Sequence, residues 1–191
     1  MEMAGLVLAA GAGRRFGMPK ALVVHEGRLL VQRAVGTLRA AGCSRTLVVL
    51  GAEAERVRAA APGLTDVVIN PDWSAGMGSS LRVGLAVLAG TTAGSAVGAV
   101  VLLVDMPGVT AEAVRRVIAR ADAGALVMGG YDGRRGHPVV LGRDHWAGVA
   151  AAARGDRGAR DYLHAHADQL RVVPVGDVAD DRDIDVPSDL D

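Results

Sequence analysis

The sequence is poor in several features that mark particular classes of protein. Its 191 residues include a single cysteine, Cys43, and aromatic residues make up only 3% of the chain. One cysteine excludes an intramolecular disulfide and fits a reducing compartment, so we expect a cytoplasmic protein in which Cys43 is a small buried residue. Half of the residues are hydrophobic. We therefore expect a core built from Ala, Val and Leu.

The chain also lacks an excess of either charge. Its 21 basic and 21 acidic residues cancel, and the absence of a basic stripe argues against nucleic acid or a membrane surface as a partner. No apolar run reaches the length of a membrane span, and the N-terminus lacks the pattern of a signal peptide. We expect one domain over residues 1–191, because the small, polar segment 90–98 is too short for a linker.

What the sequence does contain is an alternation of short apolar runs with segments of helical spacing. Strands separated by helices indicate an α/β fold, a Rossmann-like three-layer sandwich with a mostly parallel sheet and helices on both faces. The continuously apolar run at residues 99–104 predicts a central strand. The predicted strands cover residues 6–10, 46–50, 67–69, 99–104, 125–128, 139–141 and 171–175, and the predicted helices cover residues 29–41, 52–61, 79–89, 111–121 and 159–167.

The most informative segment is the glycine-rich, basic stretch at residues 11–20, which follows the first predicted strand. Glycines let backbone N–H groups approach an anion, and Arg14, Arg15 and Lys20 offset its charge, so the stretch predicts binding of a nucleoside triphosphate. A P-loop is excluded because Gly17 is not followed by Lys and Ser or Thr. The glycine spacing is one residue too long for a dinucleotide fingerprint, which argues against a dinucleotide-dependent oxidoreductase.

Polar residues follow the ends of other predicted strands, where ligands bind in an open α/β sheet. Asp105 comes directly after an apolar strand, and a carboxylate there favours Mg²⁺ held together with substrate phosphates. Asp105 could alternatively be the N-cap of the helix that follows, but Thr110 is better placed for that role. Ser79 or Ser80 is expected to cap the helix that follows, and Trp73 either stacks on a base or packs in the core.

Three further segments carry clustered charges. Residues 131–138 are predicted to form a basic loop, in which His137 is a proton carrier, a phosphate contact or a structural residue. Residues 155–160 are either a helix start with exposed charges or a second anion clamp. The Asp-rich segment 177–191 would, on composition alone, form a solvated tail.

Together and in order, these motifs resemble the molybdenum cofactor cytidylyltransferase family, within the wider MobA-like nucleotidyltransferases. The wider signature L-A-A-G-x-S-x-R-M-G-x-P-K aligns with residues 8–20, and Ala10 is similar to the cytidylyl branch, since the guanylyl branch usually has Gly. Gly13 and Phe16 replace the common Ser and Met. The resemblance continues through residues 70–81, 105–107, 135–138, 155–160 and 183–190, where Val186 and Ser188 replace the usual Thr and Glu.

The resemblance implies a fold of the nucleotide-diphospho-sugar transferase type. It also implies transfer of CMP from CTP to the terminal phosphate of molybdenum-loaded molybdopterin, with release of pyrophosphate, and a molybdoenzyme or its maturation factor as a possible partner. Arg15, Lys20 and Asp105 would be catalytic, and Asp105 with Asp185 would bind Mg²⁺. The implied nucleotide-binding residues are Leu8, Ala9, Ala10, Gly11, Gly13, Arg14, Arg15, Lys20, Asn70, Gly78 and Ser79, and the implied pterin-binding residues are Arg135, His137, Asp156, Arg157 and Arg160.

Three alternatives stay open at this point. The protein could transfer a guanylyl group, or could be another NTP transferase with a different phosphorylated acceptor. It could also be a non-catalytic, nucleotide-binding chaperone of a molybdoenzyme, which would not need both Asp105 and Asp185.

Overall fold

The computed structural model describes residues 2–90 and 96–190, so that most of segment 90–98, considered above as a linker, lies outside the described residues. Its strands are β1 (Glu2–Ala9), β2 (Val24–His25), β3 (Arg28–Leu29), β4 (Arg45–Leu50), β5 (Val67–Ile69), β6 (Ala96–Leu103), β7 (Leu126–Tyr131), β8 (Arg134–Gly142) and β9 (Leu170–Pro174). Its α-helices are α1 (Leu30–Ala40), α2 (Ala54–Ala60), α3 (Met77–Gly90), α4 (Ala111–Ile118), α5 (Trp146–Ala152) and α6 (Arg160–Ala165).

Seven of these strands form one sheet, in the order β5-β4-β1-β6-β8-β7-β9. All of its pairings are parallel except the two that β8 makes with β6 and β7. The mostly parallel α/β fold is therefore confirmed. The strand predicted to be central, β6, stands in the middle of the sheet.

Helices cover both faces of the sheet, and each face has its own apolar core. Helices α1, α2 and α4 pack on one side, while α3, α5 and α6 pack on the other. Successive residues of β1 supply the two cores, with Val7 in one and Leu6 and Leu8 in the other. The core is rich in Ala, Val and Leu, as the composition predicts. Cys43 is buried as expected, and burial raises the pKa of its thiol to about 11.

The structure corrects the prediction of a loop at residues 131–138. Strands β7 and β8 form a hairpin there, joined by Asp132 and Gly133, which have φ values of 48° and 82°. Positive φ at both central residues is the geometry of a type I′ turn, for which Asp-Gly is a favoured sequence. The basic residues of the predicted loop are thereby placed on an extended strand.

The start of α4 agrees with the prediction that Thr110 is its N-cap. Thr110 caps α4, since its hydroxyl accepts a hydrogen bond of 3.2 Å from the backbone N–H of Ala113. Asp105 is therefore free of the capping role. Helix α5 and the short hairpin of β2 and β3 have no counterpart in the predicted elements. Within the described part of the chain, no helix has the length and apolar character needed to cross a membrane.

A buried hydroxyl gives the first testable prediction. Thr46 of β4 is 6% exposed, and its Oγ1 has no hydrogen-bond partner among the described residues. A buried hydroxyl without a partner destabilises the folded state, so Thr46→Val should raise the free energy of unfolding by about 1 kcal/mol. Urea denaturation measures this change. Thr46→Ser, which keeps the hydroxyl and removes a methyl group, should lower the stability, and a less stable Thr46→Val protein would contradict the argument.

Candidate active site

A cavity of about 420 Å³ opens at the carboxyl ends of β1 and β6. The glycine-rich stretch forms one wall, and the segment between β5 and α3 forms another. Two aspartates, one after β6 and one near the C-terminus, complete its rim. Its lining consists of Leu8, Ala10, Gly11, Ala12, Gly13, Arg14, Arg15, Lys20, Trp73, Ser74, Gly76, Met77, Ser80, Leu103, Val104, Asp105, Asp156 and Asp185.

The glycine-rich stretch folds back on itself through Gly13. The residue has φ +61°, and its carbonyl accepts a hydrogen bond of 2.8 Å from the N–H of Gly17. A Cβ at position 13 would lie 1.9 Å from the carbonyl oxygen of Met18, so no side chain fits there without a change of backbone. The backbone of this chain therefore requires glycine at a position where the family signature has Ser.

Lys20 contacts both aspartates that the family resemblance implies as metal carboxylates. Its ammonium donates to Oδ2 of Asp105 at 2.7 Å and also to Oδ1 of Asp185. The Lys20 side chain is only 16% exposed. Burial alone would lower the pKa of Lys20, but the hydrogen bonds and charges of the two aspartates outweigh it and raise the pKa above its ordinary value.

The C-terminal segment is held in place by backbone hydrogen bonds, and the expectation of a solvated tail from composition alone is wrong for its middle part. The N–H of Ile184 donates to the carbonyl of Asp105 at 2.9 Å, and Ile184 is buried in the core. The N–H groups of Asp185 and Val186 both donate to Oδ2 of Asp189. These contacts bring Asp185 to the end of β6, beside Asp105.

The two carboxylates have the chemistry of a divalent cation site. Both accept from one ammonium group, so a single cation can reach both. In the described residues there is no group of three or more His, Cys, Asp or Glu side chains that could hold a metal. A cation here would need further ligands from a substrate, and Mg²⁺ commonly binds in this way, through one or two carboxylates and substrate phosphates.

Four of the predicted nucleotide-binding residues lie behind the cavity wall. Asn70 is 1% exposed and donates to the hydroxyls of Ser79 and Ser80 at 2.8 and 3.0 Å, which orders the turn into α3. Ser79 lies within the first turn of α3 and donates to backbone carbonyls, so the expectation that it or Ser80 is the N-cap is wrong. Gly78 packs tightly on the backbone at residue 154, and Ala9 is buried in β1.

Trp73 has the packing role considered for it, and stacking on a base stays a prediction. Its side chain packs against the core on the α3 side of the sheet, and it also lines the cavity. A Cβ on Gly51 would lie 2.4 Å from the Cβ of Trp73, so the glycine permits this close approach. The indole is therefore firmly positioned at the edge of the site.

A second cavity of about 560 Å³ adjoins the first, and the two share Leu8, Met77, Leu103 and Asp156 in their linings. All five predicted acceptor-binding residues line it, which brings the β7–β8 hairpin and residues 156–160 together as expected. Its floor is apolar. The apolar lining includes Met77, Leu81, Val101, Leu103, Met106, Met128, Val139, Leu141 and Leu163.

The rim of the second cavity is basic. Arg134 is paired with Asp181, and Arg157 with Asp161. Arg135 and Arg160 are exposed, and neither has a carboxylate within ion-pair distance in the described residues. These two arginines are available to an anionic group of a ligand.

His137 lies in the wall of the second cavity. Burial lowers the pKa of its imidazole to about 4, despite the opposing charges of Asp105 and Asp181. At neutral pH the side chain is therefore uncharged. It can donate or accept a hydrogen bond, but it cannot supply a positive charge to a phosphate.

Sequence reasoning missed two acidic residues of this region, Asp181 and Asp183, which also line the second cavity. Burial raises the pKa of Asp183, and the neighbouring charges of Asp105 and Asp185 raise it further. Both residues belong to the acidic C-terminal segment, which is evident in the sequence. Their closeness to the β7–β8 hairpin is a tertiary contact that the sequence does not show.

A basic glycine-rich loop faces two carboxylates, one at the end of β6 and one on the C-terminal segment, an arrangement that suits a protein of the nucleotidyltransferase type. The chain belongs to the family of the MobA-like NTP transferase domain, which matches residues 5–170.

The relatives of this chain have more than one activity in their names. It is 37% identical over 192 residues to nicotine blue oxidoreductase of Paenarthrobacter nicotinovorans, a match that covers 95% of this chain and 91% of that protein. A probable molybdenum cofactor guanylyltransferase of Opitutus terrae is 35% identical over 109 residues, which are 57% of this chain and 50% of that protein.

Solved structures share the fold of this chain. The crystal structure of Rv0371c from Mycobacterium tuberculosis H37Rv has a TM-score of 0.83 and 31% sequence identity, over 99% of this chain and 95% of that one. Its complex with manganese has a TM-score of 0.78 and 32% identity, over 96% of this chain and 94% of that one.

The low pKa of His137 predicts a pH-dependent stability. The unfolded chain takes up a proton near the ordinary pKa of 6.5, whereas the folded chain does so only near 4, so stability falls as the pH drops through this window. Between pH 7 and 4.5 the wild type should lose about 2 kcal/mol more than His137→Gln. Urea unfolding at both pH values measures this, and equal losses would show that the imidazole titrates normally.

Proposed function

We propose that this protein is a nucleotidyltransferase that transfers CMP from CTP to the terminal phosphate of molybdenum-loaded molybdopterin. The observation that carries the proposal is the arrangement of two adjoining cavities around Lys20, Asp105 and Asp185. One cavity has the residues to hold a triphosphate. The other has an apolar floor and free arginines at its rim, which suit a flat heterocycle that bears a phosphate.

The reaction needs no covalent intermediate with the protein. An oxygen of the acceptor phosphate attacks the α-phosphorus of CTP, a new P–O bond forms, and the bond to the bridging oxygen breaks to release pyrophosphate. Arg15 and Lys20 would bind the phosphates and offset the charge that builds up on them. The shared wall of the two cavities would place the acceptor beside the α-phosphate.

Asp105 and Asp185 would hold Mg²⁺, which when bound offsets further phosphate charge. The chemistry of the two carboxylates supports this assignment, as does the manganese complex of the relative Rv0371c. The choice of CTP over GTP rests on the similarity of Ala10 to the cytidylyl branch. The guanylyltransferase among the relatives makes GTP the nearest alternative.

A second candidate function is supported by the 37% identity to nicotine blue oxidoreductase over nearly the whole chain. In this case the first cavity would hold the phosphates of a nucleotide-containing reductant, and the apolar second cavity would hold a planar dye. The glycine spacing does not match a dinucleotide fingerprint. The basic residues of the first cavity could still bind the phosphates of such a reductant without that fingerprint.

One experiment separates these functions. Purified protein with Mg²⁺ and molybdenum-loaded molybdopterin is incubated with CTP, GTP or ATP, and pyrophosphate release is measured. Release with CTP is the expected result, and release with GTP alone would assign the guanylyl reaction. A parallel assay follows oxidation of NADH or NADPH in the presence of a planar heteroaromatic dye. Activity in that assay, without pyrophosphate release, would support the oxidoreductase.

Substitution of Lys20 tests the proposed mechanism. Lys20→Ala removes a positive charge from the phosphate site and should lower the rate of pyrophosphate release by roughly two orders of magnitude or more. Arg171→Ala is the control, because Arg171 is an exposed cation on β9 that does not line either cavity. An unchanged rate in Lys20→Ala would exclude this role, and a fully active Asp105→Asn would exclude cation binding there.

A further inference from the structure

We propose that Lys20 occupies the place of the divalent cation in the nucleotide-free protein, so that a bound nucleotide, by drawing Lys20 away, strengthens binding of the cation. The inference rests on the nucleotide and cation sites of the proposed function. It concerns the coupling between those two sites.

The geometry places one ammonium group between the two candidate cation ligands. Lys20 Nζ lies 2.7 Å from Oδ2 of Asp105 and contacts Oδ1 of Asp185 as well. Arg15 Nη1 lies 3.7 Å from the other oxygen of Asp185. Two of the cations offered to a triphosphate are thus already engaged with the carboxylates.

The charged side chains that line the first cavity balance one another. Its lining contains three cations, Arg14, Arg15 and Lys20, and three aspartates at positions 105, 156 and 185. A divalent cation that enters alone must compete with the ammonium for the same oxygens. A triphosphate that enters alone draws cations away from two aspartates and leaves their charges uncompensated. Each ligand therefore removes an obstacle to the other, and the two should bind with positive coupling.

Composition supports a special role for this residue. Lys20 is the only lysine of the chain, and every other residue among the 21 basic ones is arginine. An ammonium group is a compact charge with three donors, whereas a guanidinium is larger and planar. Of the two groups, the ammonium is therefore closer in size and shape to a small cation between two carboxylates.

The test is the affinity for Mn²⁺ alone, measured by electron paramagnetic resonance without nucleotide. Lys20→Met should bind Mn²⁺ about tenfold more tightly than the wild type, within the range usual for coupled sites. Arg14→Met is the matched control, since Arg14 lines the same cavity without a carboxylate contact in the described residues. It removes the same charge and should leave the affinity close to that of the wild type.

Equal affinities of the wild type and Lys20→Met, weaker binding by Lys20→Met, or no binding by either protein would overturn the inference. An equal gain in both variants would also overturn it, because cavity charge alone would then explain the result.

A measurement on the wild type keeps the test valid if Lys20→Met does not fold. Protein labelled with ¹³C-lysine gives NMR signals from Lys20 alone, because the chain has no other lysine. CTP added with a chelator should shift the side-chain signal, and an unchanged signal would overturn the inference. Neither experiment requires turnover. A protein that passes both tests but releases no pyrophosphate would refute the proposed reaction and leave the coupling intact.

Discussion

The contact of one ammonium group with two carboxylates connects three distant parts of this chain. Lys20 comes from the end of the glycine-rich stretch, Asp105 from the end of the central strand and Asp185 from the C-terminal segment. Without a cation between them, the two carboxylates would repel each other in a partly buried place. The position of the C-terminal segment, and with it the rim of the first cavity, therefore depends on charge balance as well as on the burial of Ile184.

The sequence predicted the architecture because the fold depends on local periodicity. A buried strand such as β6 is apolar throughout, and α1 shows its apolar face at every third or fourth residue, so both were found within a few residues of their ends. The apolar parts of β7 and β8 were predicted, but the tip of their hairpin was missed although Asp132-Gly133 is a favoured turn sequence. The glycines and charges at residues 129–137 interrupt the apolar pattern that marks a strand, and the register of pairing is a tertiary property.

Part of the candidate site was predicted from the order of motifs along the chain and not from local periodicity. Motifs that follow parallel strands converge on one sheet edge, so Lys20 and Asp105 could be grouped before any distance was known. Asp185 was added to them only by the family resemblance, because it does not come directly after a predicted strand. Contacts within the edge could not be predicted in the same way. Asn70 and Ser79 have side chains that suit a ligand, but they form a hydrogen bond with each other behind the wall of the first cavity. That hydrogen bond depends on the exact geometry of the turn into α3.

The two cavities separate the candidate phosphate site from the candidate acceptor site. Under the proposed function, phosphate binding by the glycine backbone and by Arg14, Arg15 and Lys20 would depend on charge and on close approach, whatever the base. The second cavity has an apolar floor with three methionines, which are flexible and adapt to flat ligands of different shape. Changes confined to that floor can replace the acceptor while the ionic contacts of Lys20 stay the same. Under the proposed function, the second cavity would therefore select the acceptor, while the first would bind the nucleotide-containing substrate.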